Sequence, residues 1–198
     1  MLVVTGTGRS GTSALAGYLF RMDLPVGGKY NEKILGGYEH REVVTLNNKI
    51  LNNEPFSQDE IKAVDLEVVK DPRFFSPKVL REWLSVRDDL KFLLCFRAID
   101  QTLQGAKRHP DHFFTNSASA SDEELKQRMR SKLANFMEKV LEKDIPYASL
   151  TFPNFLEQHD KVYEVVCRLL GKDLDVEKSR QVWSDWMDPD KVHYRSTC

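Results

Sequence analysis

Residues 2–13 read Leu-Val-Val-Thr-Gly-Thr-Gly-Arg-Ser-Gly-Thr-Ser. A β-rich apolar run passes through three glycines in six residues. It leads into Ser13 to Met22, where Leu15, Leu19 and Met22 fall at helical spacing. Strand, glycine turn and helix in that order constrain the chain strongly. A buried strand that feeds a helix needs parallel partners and helices to cover it. Backbone N–H groups in such a turn can curl around an anion. The N-terminal end of the helix adds donors and a positive dipole end.

The rest of the sequence repeats the alternation. Leu66 to Lys70 reads as a second strand, ended by Asp71-Pro72, and Lys91 to Phe96 as a buried third. Pro146 to Leu150 is a short fourth. Between them the spacing predicts helices over Glu42 to Leu51, from the cap Ser57 with Glu60 closing a capping box, and over Pro77 to Trp83. It predicts others over Ile99 to Lys107, Asp122 to Lys143 and Asn154 to Leu170, the last closed by Gly171. Leu24 to Gly37 and the Ser-rich stretch His109 to Asp122 read as loops. Trp183 and Trp186 read as core packing, with an acceptor-pocket lining as the other use. The expected fold is therefore α/β, a central parallel sheet flanked by helices in three layers. At 198 residues one domain over 1–198 is expected. Ligands in such folds bind beyond the carboxyl ends of the strands. Gly6 to Ser13, Lys70 to Arg73, and Arg97 all fall at that end.

Composition narrows the partners. Charged residues make up 30% of the chain, yet the formal net charge is -1, so no global field favours nucleic acid or an anionic membrane. No apolar run reaches the roughly 20 residues that span a bilayer. Met1 runs into a strand pattern with no basic lead, so no signal peptide and a cytoplasmic address are expected. Cys95 and Cys167 sit among apolar residues and read as small buried hydrophobes. No cysteine or histidine spacing suggests a metal.

The Gly6 to Ser13 loop has the form G-x-x-x-x-G-x-S. A nucleoside-triphosphatase loop carries Lys where this chain has Thr12. The segment Gly6-Thr7-Gly8-Arg9-Ser10-Gly11-Thr12-Ser13 instead resembles the P-R-S-G-T-[ST] loop of sulfotransferases that use 3′-phosphoadenosine 5′-phosphosulfate (PAPS), with Gly8 in place of the usual Pro. Gly36-Gly37-Tyr38-Glu39-His40, Val69-Lys70-Asp71-Pro72-Arg73, and Leu93 to Arg97 are similar to three further segments of that family. The resemblance touches about three-quarters of the chain, and only the first loop and K-D-P-R are specific.

This resemblance implies a three-layer P-loop fold and PAPS as co-substrate without a metal. It also implies a hydroxyl or amine acceptor on a small molecule or glycan. Gly8, Arg9, Ser10, Gly11, Thr12 and Ser13 would hold the phosphosulfate, and Arg97 the 3′-phosphate. Arg9 and Lys70 would neutralise charge on the transferring and leaving oxygens. Glu39 is the candidate base, with His40 its rival. The chain departs from the family after Arg97, where Ile99 replaces a Pro and Gly105 a phosphate-binding Ser. Gln101, Thr102, Lys107 and Arg108 stand in the same predicted helix as substitutes. The late R-K-G-x-x-G segment is absent, with Arg195 a possible stand-in. Two other readings remain open. One is a P-loop kinase or nucleotide hydrolase with a degenerate loop, and the other a non-catalytic nucleotide-binding module. In bland readings, Lys70 is a surface lysine, Glu39 an exposed loop carboxylate, Asp71 and Arg73 an internal ion pair, and Arg97 a partner of Asp100 or Glu39.

Overall fold

The computed structural model describes residues 1–28, 30–31, 36–108 and 120–187. Four strands form one parallel sheet: β1 (Leu2–Gly6), β4 (Val68–Lys70), β5 (Lys91–Phe96) and β6 (Tyr147–Thr151), in the order β4-β1-β5-β6. Two further strands of two residues each, β2 (Tyr30–Asn31) and β3 (Gly36–Gly37), pair antiparallel by themselves inside the stretch read as loop.

Helices cover both faces, as the alternation required. On one face Leu2, Val4, Leu93, Cys95 and Leu150 pack against α1 (Thr12–Arg21), α7 (His159–Leu170) and α8 (Val176–Trp186). On the other, Val3, Val69, Phe92 and Leu94 meet α2 (Arg41–Asn52), α4 (Pro77–Leu84) and α6 (Asp122–Glu142). Period-two alternation along β1 thus divides the core into two layers. The short α3 (Gln58–Lys62) begins with the expected capping box, and α5 (Ile99–Arg108) follows β5. No described helix is long and apolar enough to cross a membrane.

The differences from expectation have local causes. The predicted helix from Asn154 is split into a 3-10 turn, Asn154–Glu157, and α7. The Leu156 carbonyl accepts from Trp183 Nε1 at 3.1 Å, so it is turned toward α8 rather than along a helical ladder. Helix α8 itself escaped the periodicity because its buried positions are Ser179 and Trp183. Leu141 of α6 is exposed, and Cys167, read as a buried hydrophobe, is only half-buried. Most of the loop read over His109 to Asp122, and the run from Asp188 to Arg195, lie outside the described residues.

Three helices meet at one hydroxyl. Ser179 Oγ lies 2.6 Å from Tyr18 Oη and 2.8 Å from His159 Nε2, while His159 Nδ1 lies 2.8 Å from Asp160. The order Asp-His-Ser has the outline of a charge relay. Yet Ser179 is fully buried and engaged by Tyr18, so it ties α1, α7 and α8 together and meets no substrate. Burial pushes the Tyr18 phenol up to about 12, against the pull of Ser179, so it stays protonated. Ser179→Ala leaves the buried Tyr18 hydroxyl without its partner and takes from His159 the contact at Nε2, leaving it only Asp160. It is expected to lower unfolding free energy by about 1–3 kcal/mol, read from the urea midpoint. A loss below about 0.5 kcal/mol would show that the hydroxyl is dispensable.

Candidate functional site

β1 lies between β4 and β5, so the strand order reverses around it. The crevice beyond its carboxyl end is where open parallel sheets bind ligands. The loop from Gly6 to Gly11 fills that position. Gly6 has no room for a side chain: a Cβ there would sit 2.0 Å from the Cys95 carbonyl oxygen of β5. Arg9 (φ 64) and Gly11 (φ 86) are both left-handed. Such residues turn successive N–H groups toward one side, as in anion-binding nests. For a residue with a Cβ such as Arg9, this backbone costs on the order of 1 kcal/mol and is kept where surroundings require it.

The loop runs directly into α1. Gly11 is the N-cap and supplies no side-chain cap, and no acidic residue stands in the first turn. The first N–H groups are therefore left to an outside acceptor. The hydroxyls of Thr5, Thr7 and Ser10 are buried and find no hydrogen-bond partner among the described residues. Buried donors of this kind are rare in folded proteins unless a ligand or water meets them. Thr12 is buried, and Gly8, Arg9 and Ser13 are half-buried at the mouth of the same turn.

β4 delivers the cation. Its residue Lys70 pairs in register with Val4 of β1, which places it beside the start of the loop. It is only 3% exposed, which rules out the surface-lysine reading, and its Nζ donates to Glu39 at 2.6 Å. Glu39 accepts on its other oxygen from Arg73 at 3.2 Å, so it is no free loop carboxylate either. Burial drives its carboxyl up, but the charges of Lys70 and Arg73 and their hydrogen bonds outweigh this. The group is held below its ordinary value and stays ionised. His40 follows as the N-cap of α2, its Nδ1 buried and without a hydrogen bond among the described residues.

Asp71 and Arg73 form the internal ion pair expected of them, at 3.0 Å. Asp71 is fully buried, and its carboxylate accepts from the Arg73 backbone at 2.8 Å and from Asn47 Nδ2 at 2.9 Å. Burial pushes the Asp71 carboxyl above its ordinary value, with Arg73 and then Asn47 pulling against it. Arg73 loses some charge preference to burial, but Asp71 and Glu39 more than restore it.

Arg97 stands at the end of β5, on the other side of the loop. Its Nε donates to Gln101 at 3.0 Å, and its guanidinium lies 5.2 Å from the Phe152 ring centroid. Of the acidic residues first considered for it, Asp100 pairs with Lys126, and Glu39 with Lys70 and Arg73. Phe152 also presses on the loop, since a Cβ at Gly11 would meet its Cδ2 at 2.4 Å. One ring after β6 thus braces both the glycine turn and Arg97. Gln101 and Thr102 are on α5. Of Gly105, Lys107 and Arg108, the backbone alone is described, and Arg195 lies outside the described residues.

Trp183 and Trp186 are packing residues. Trp183 lies edge-on to Tyr18. Trp186 donates to the Ala14 carbonyl at 2.6 Å and lies under the Arg21 guanidinium at 3.7 Å. Sequence reasoning gave no role to Asn47, Asn48 or Phe152. One signal was present for Asn47. It falls with Val43, Leu46 and Ile50 on the apolar stripe of α2, and a buried amide requires partners.

These strand ends and this glycine turn define an α/β fold of the P-loop kind, with buried hydroxyls and Lys70 gathered at the crevice beyond β1. No family model and no curated protein matches the sequence. Among solved structures, the chain is similar to the sulfotransferase domain from the curacin biosynthetic pathway. The TM-score is 0.60 at 15% identity, covering 90% of this chain and 76% of that one. It is also similar to a retinol dehydratase solved in complex with androsterone and the inactive cofactor PAP. There the TM-score is 0.49 at 13% identity, over 93% of this chain and 63% of that one. The first of these shows that the chain has a sulfotransferase-type fold.

Proposed function

We propose that the protein is a sulfotransferase. It would move a sulfuryl group from PAPS to a hydroxyl or amine of a small-molecule or glycan acceptor. The observation that carries this reading is the pair of buried hydroxyls of Thr7 and Ser10, without a partner among the described residues, in a loop with left-handed Arg9 and Gly11 that opens α1. The donor set is neutral or cationic throughout, which suits a phosphosulfate. Thr12 in place of the Walker lysine argues against a magnesium nucleoside triphosphate.

Within this reading the turn from Gly8 to Ser13 holds the 5′-phosphosulfate, with Arg9 forking across its oxygens. Lys70 meets the oxygen that becomes the leaving phosphate, and Arg97 takes the 3′-phosphate. The acceptor oxygen or nitrogen attacks sulfur, the bond from sulfur to the phosphate oxygen breaks, and adenosine 3′,5′-bisphosphate departs. The acceptor proton passes to Glu39, already ionised, with His40 beside it as the alternative base. Little covalent chemistry falls to the protein, so positioning and charge neutralisation carry the rate.

Calorimetric titration with adenosine 3′,5′-bisphosphate in EDTA tests the nucleotide site. Binding without magnesium is expected. Arg9→Ala is expected to weaken it on the order of tenfold to a hundredfold, the worth of a charged hydrogen bond. Labelled PAPS offered with panels of alcohols, phenols, sugars and amines tests transfer. Magnesium-dependent ATP or GTP binding with none to the bisphosphate would favour a kinase or hydrolase. Bisphosphate binding with no transfer to any acceptor would leave a nucleotide-binding module.

A further inference from the structure

The geometry points to Asn47 as a positioning residue that sets Arg73, and through it the Glu39 carboxylate, from the buried side of the site. Its two amide atoms bridge otherwise separate elements. Asn47 Oδ1 accepts from Trp83 Nε1 of α4 at 2.7 Å, and Asn47 Nδ2 donates to Asp71 Oδ2 at 2.9 Å. Asp71 Oδ1 then accepts from Arg73 at 3.0 Å, and Arg73 donates to Glu39 at 3.2 Å. Trp83, Asn47 and Asp71 are all fully buried, so water cannot replace a lost partner at these atoms.

The chain of contacts has one arrangement that satisfies it. Trp83 can only donate, so it fixes which end of the Asn47 amide faces it. The amide nitrogen must then face Asp71. With Oδ2 so engaged, Oδ1 is left to the Arg73 backbone and guanidinium. Asn48, the next residue, accepts from Arg73 Nε at 2.7 Å. Neighbouring residues of α2 therefore grip the same arginine by two routes. Arg73 is thereby held where it shares Glu39 with Lys70.

The catalytic part of this inference rests on the sulfotransferase reading, whereas the structural part does not. The test separates them by reading Glu39 in the free, full-length protein. Carbon-13 labelling of glutamate carboxyls with an NMR pH titration follows Glu39 directly, with Glu39→Gln to assign its resonance. Lys70, Arg73, Asp71 and His40 are the charged or titratable groups around it, and each stays in place. Asn47→Leu matches the amide in shape but removes both hydrogen bonds. Its Glu39 carboxyl is expected to titrate higher than in the wild type, toward the ordinary glutamate range, as Arg73 loosens. Trp83→Phe keeps an aromatic ring but not the donor, and is expected to shift Glu39 the same way by less. This second variant decides the matter if Asn47→Leu does not fold. Unchanged Glu39 titration in a folded variant overturns the inference. Where transfer activity is found, kcat of Asn47→Leu should fall on the order of 10- to 100-fold, with bisphosphate affinity within about twofold of wild type. Absence of transfer in the wild type overturns the proposed function and leaves the Glu39 titration to decide on Asn47.

Discussion

Lys70→Met is expected to lower kcat on the order of 10²- to 10³-fold, the loss typical of removing one fixed charge aimed at a developing anion. Lys70 is nearly sealed at the end of β4, beside the loop that would hold the donor. Methionine follows the same path through the protein without the ammonium, so the packing of the stem is kept. Glu39 retains Arg73 at 3.2 Å and is half-buried, which limits the loss in unfolding free energy to about 1–3 kcal/mol. The pH profile supplies a second readout. Glu39 is held below its ordinary value in the native protein, so its ionised form persists as pH falls through the usual carboxylate range. Removing Lys70 takes away the largest of the favourable interactions on that carboxylate. The acid limb of kcat is therefore expected to move to higher pH in Lys70→Met, if Glu39 is the base. His40→Gln in the same assay, with an acid limb unlike the wild type, would transfer that duty to His40. Full activity in Lys70→Met would remove lysine from the mechanism altogether.

What could be read from the sequence was what is local. The run Leu2 to Ser13 carries its own strand, turn and helix, and the two faces of β1 follow from alternation alone. Lys91 to Phe96 has the observed bounds to the residue. The placement of Lys70, Asp71 and Arg73 at the strand end likewise followed from position in the chain. Partners were another matter. Lys70 and Glu39 stand 31 residues apart, and their meeting depends on Tyr38, a buried tyrosine with a left-handed backbone (φ 61). No periodicity shows that turn, so whether Glu39 faced solvent or a cation was not decidable from spacing. Helix α8 failed for a related reason. Its inward face is made of Ser179 and Trp183, which are satisfied by contacts with Tyr18, His159 and Leu156 on other elements. Phe152 gave no signal, because its use comes from nearness to Gly11 and Arg97, distant in sequence.

The same dependence on distant partners makes Trp83→Ala the most damaging core substitution expected, at about 3–5 kcal/mol. Trp83 is fully buried and is among the largest side chains of the core. Its ring lies 4.9 Å from that of Phe74, which packs in turn on Phe92 of β5, and Phe92 lies edge-on to Phe136 of α6. Truncation opens a cavity at one end of this aromatic row. It also leaves the Asn47 carbonyl, fully buried, without its donor. For a chain of this size the change amounts to a fall in Tm of roughly 6–20 °C. Domains of this kind hold only about 5–15 kcal/mol in total, so roughly a fifth or more of the stability would be lost at one residue. Urea and thermal unfolding followed by circular dichroism measure the effect. Trp83→Phe separates its two causes, since it retains most of the ring contacts and loses only the indole N–H. A small loss in Trp83→Phe with a large one in Trp83→Ala would assign the stability to packing and leave the hydrogen bond to orient Asn47. A comparable loss in both would place the greater part of the energy in the buried amide network beneath Glu39.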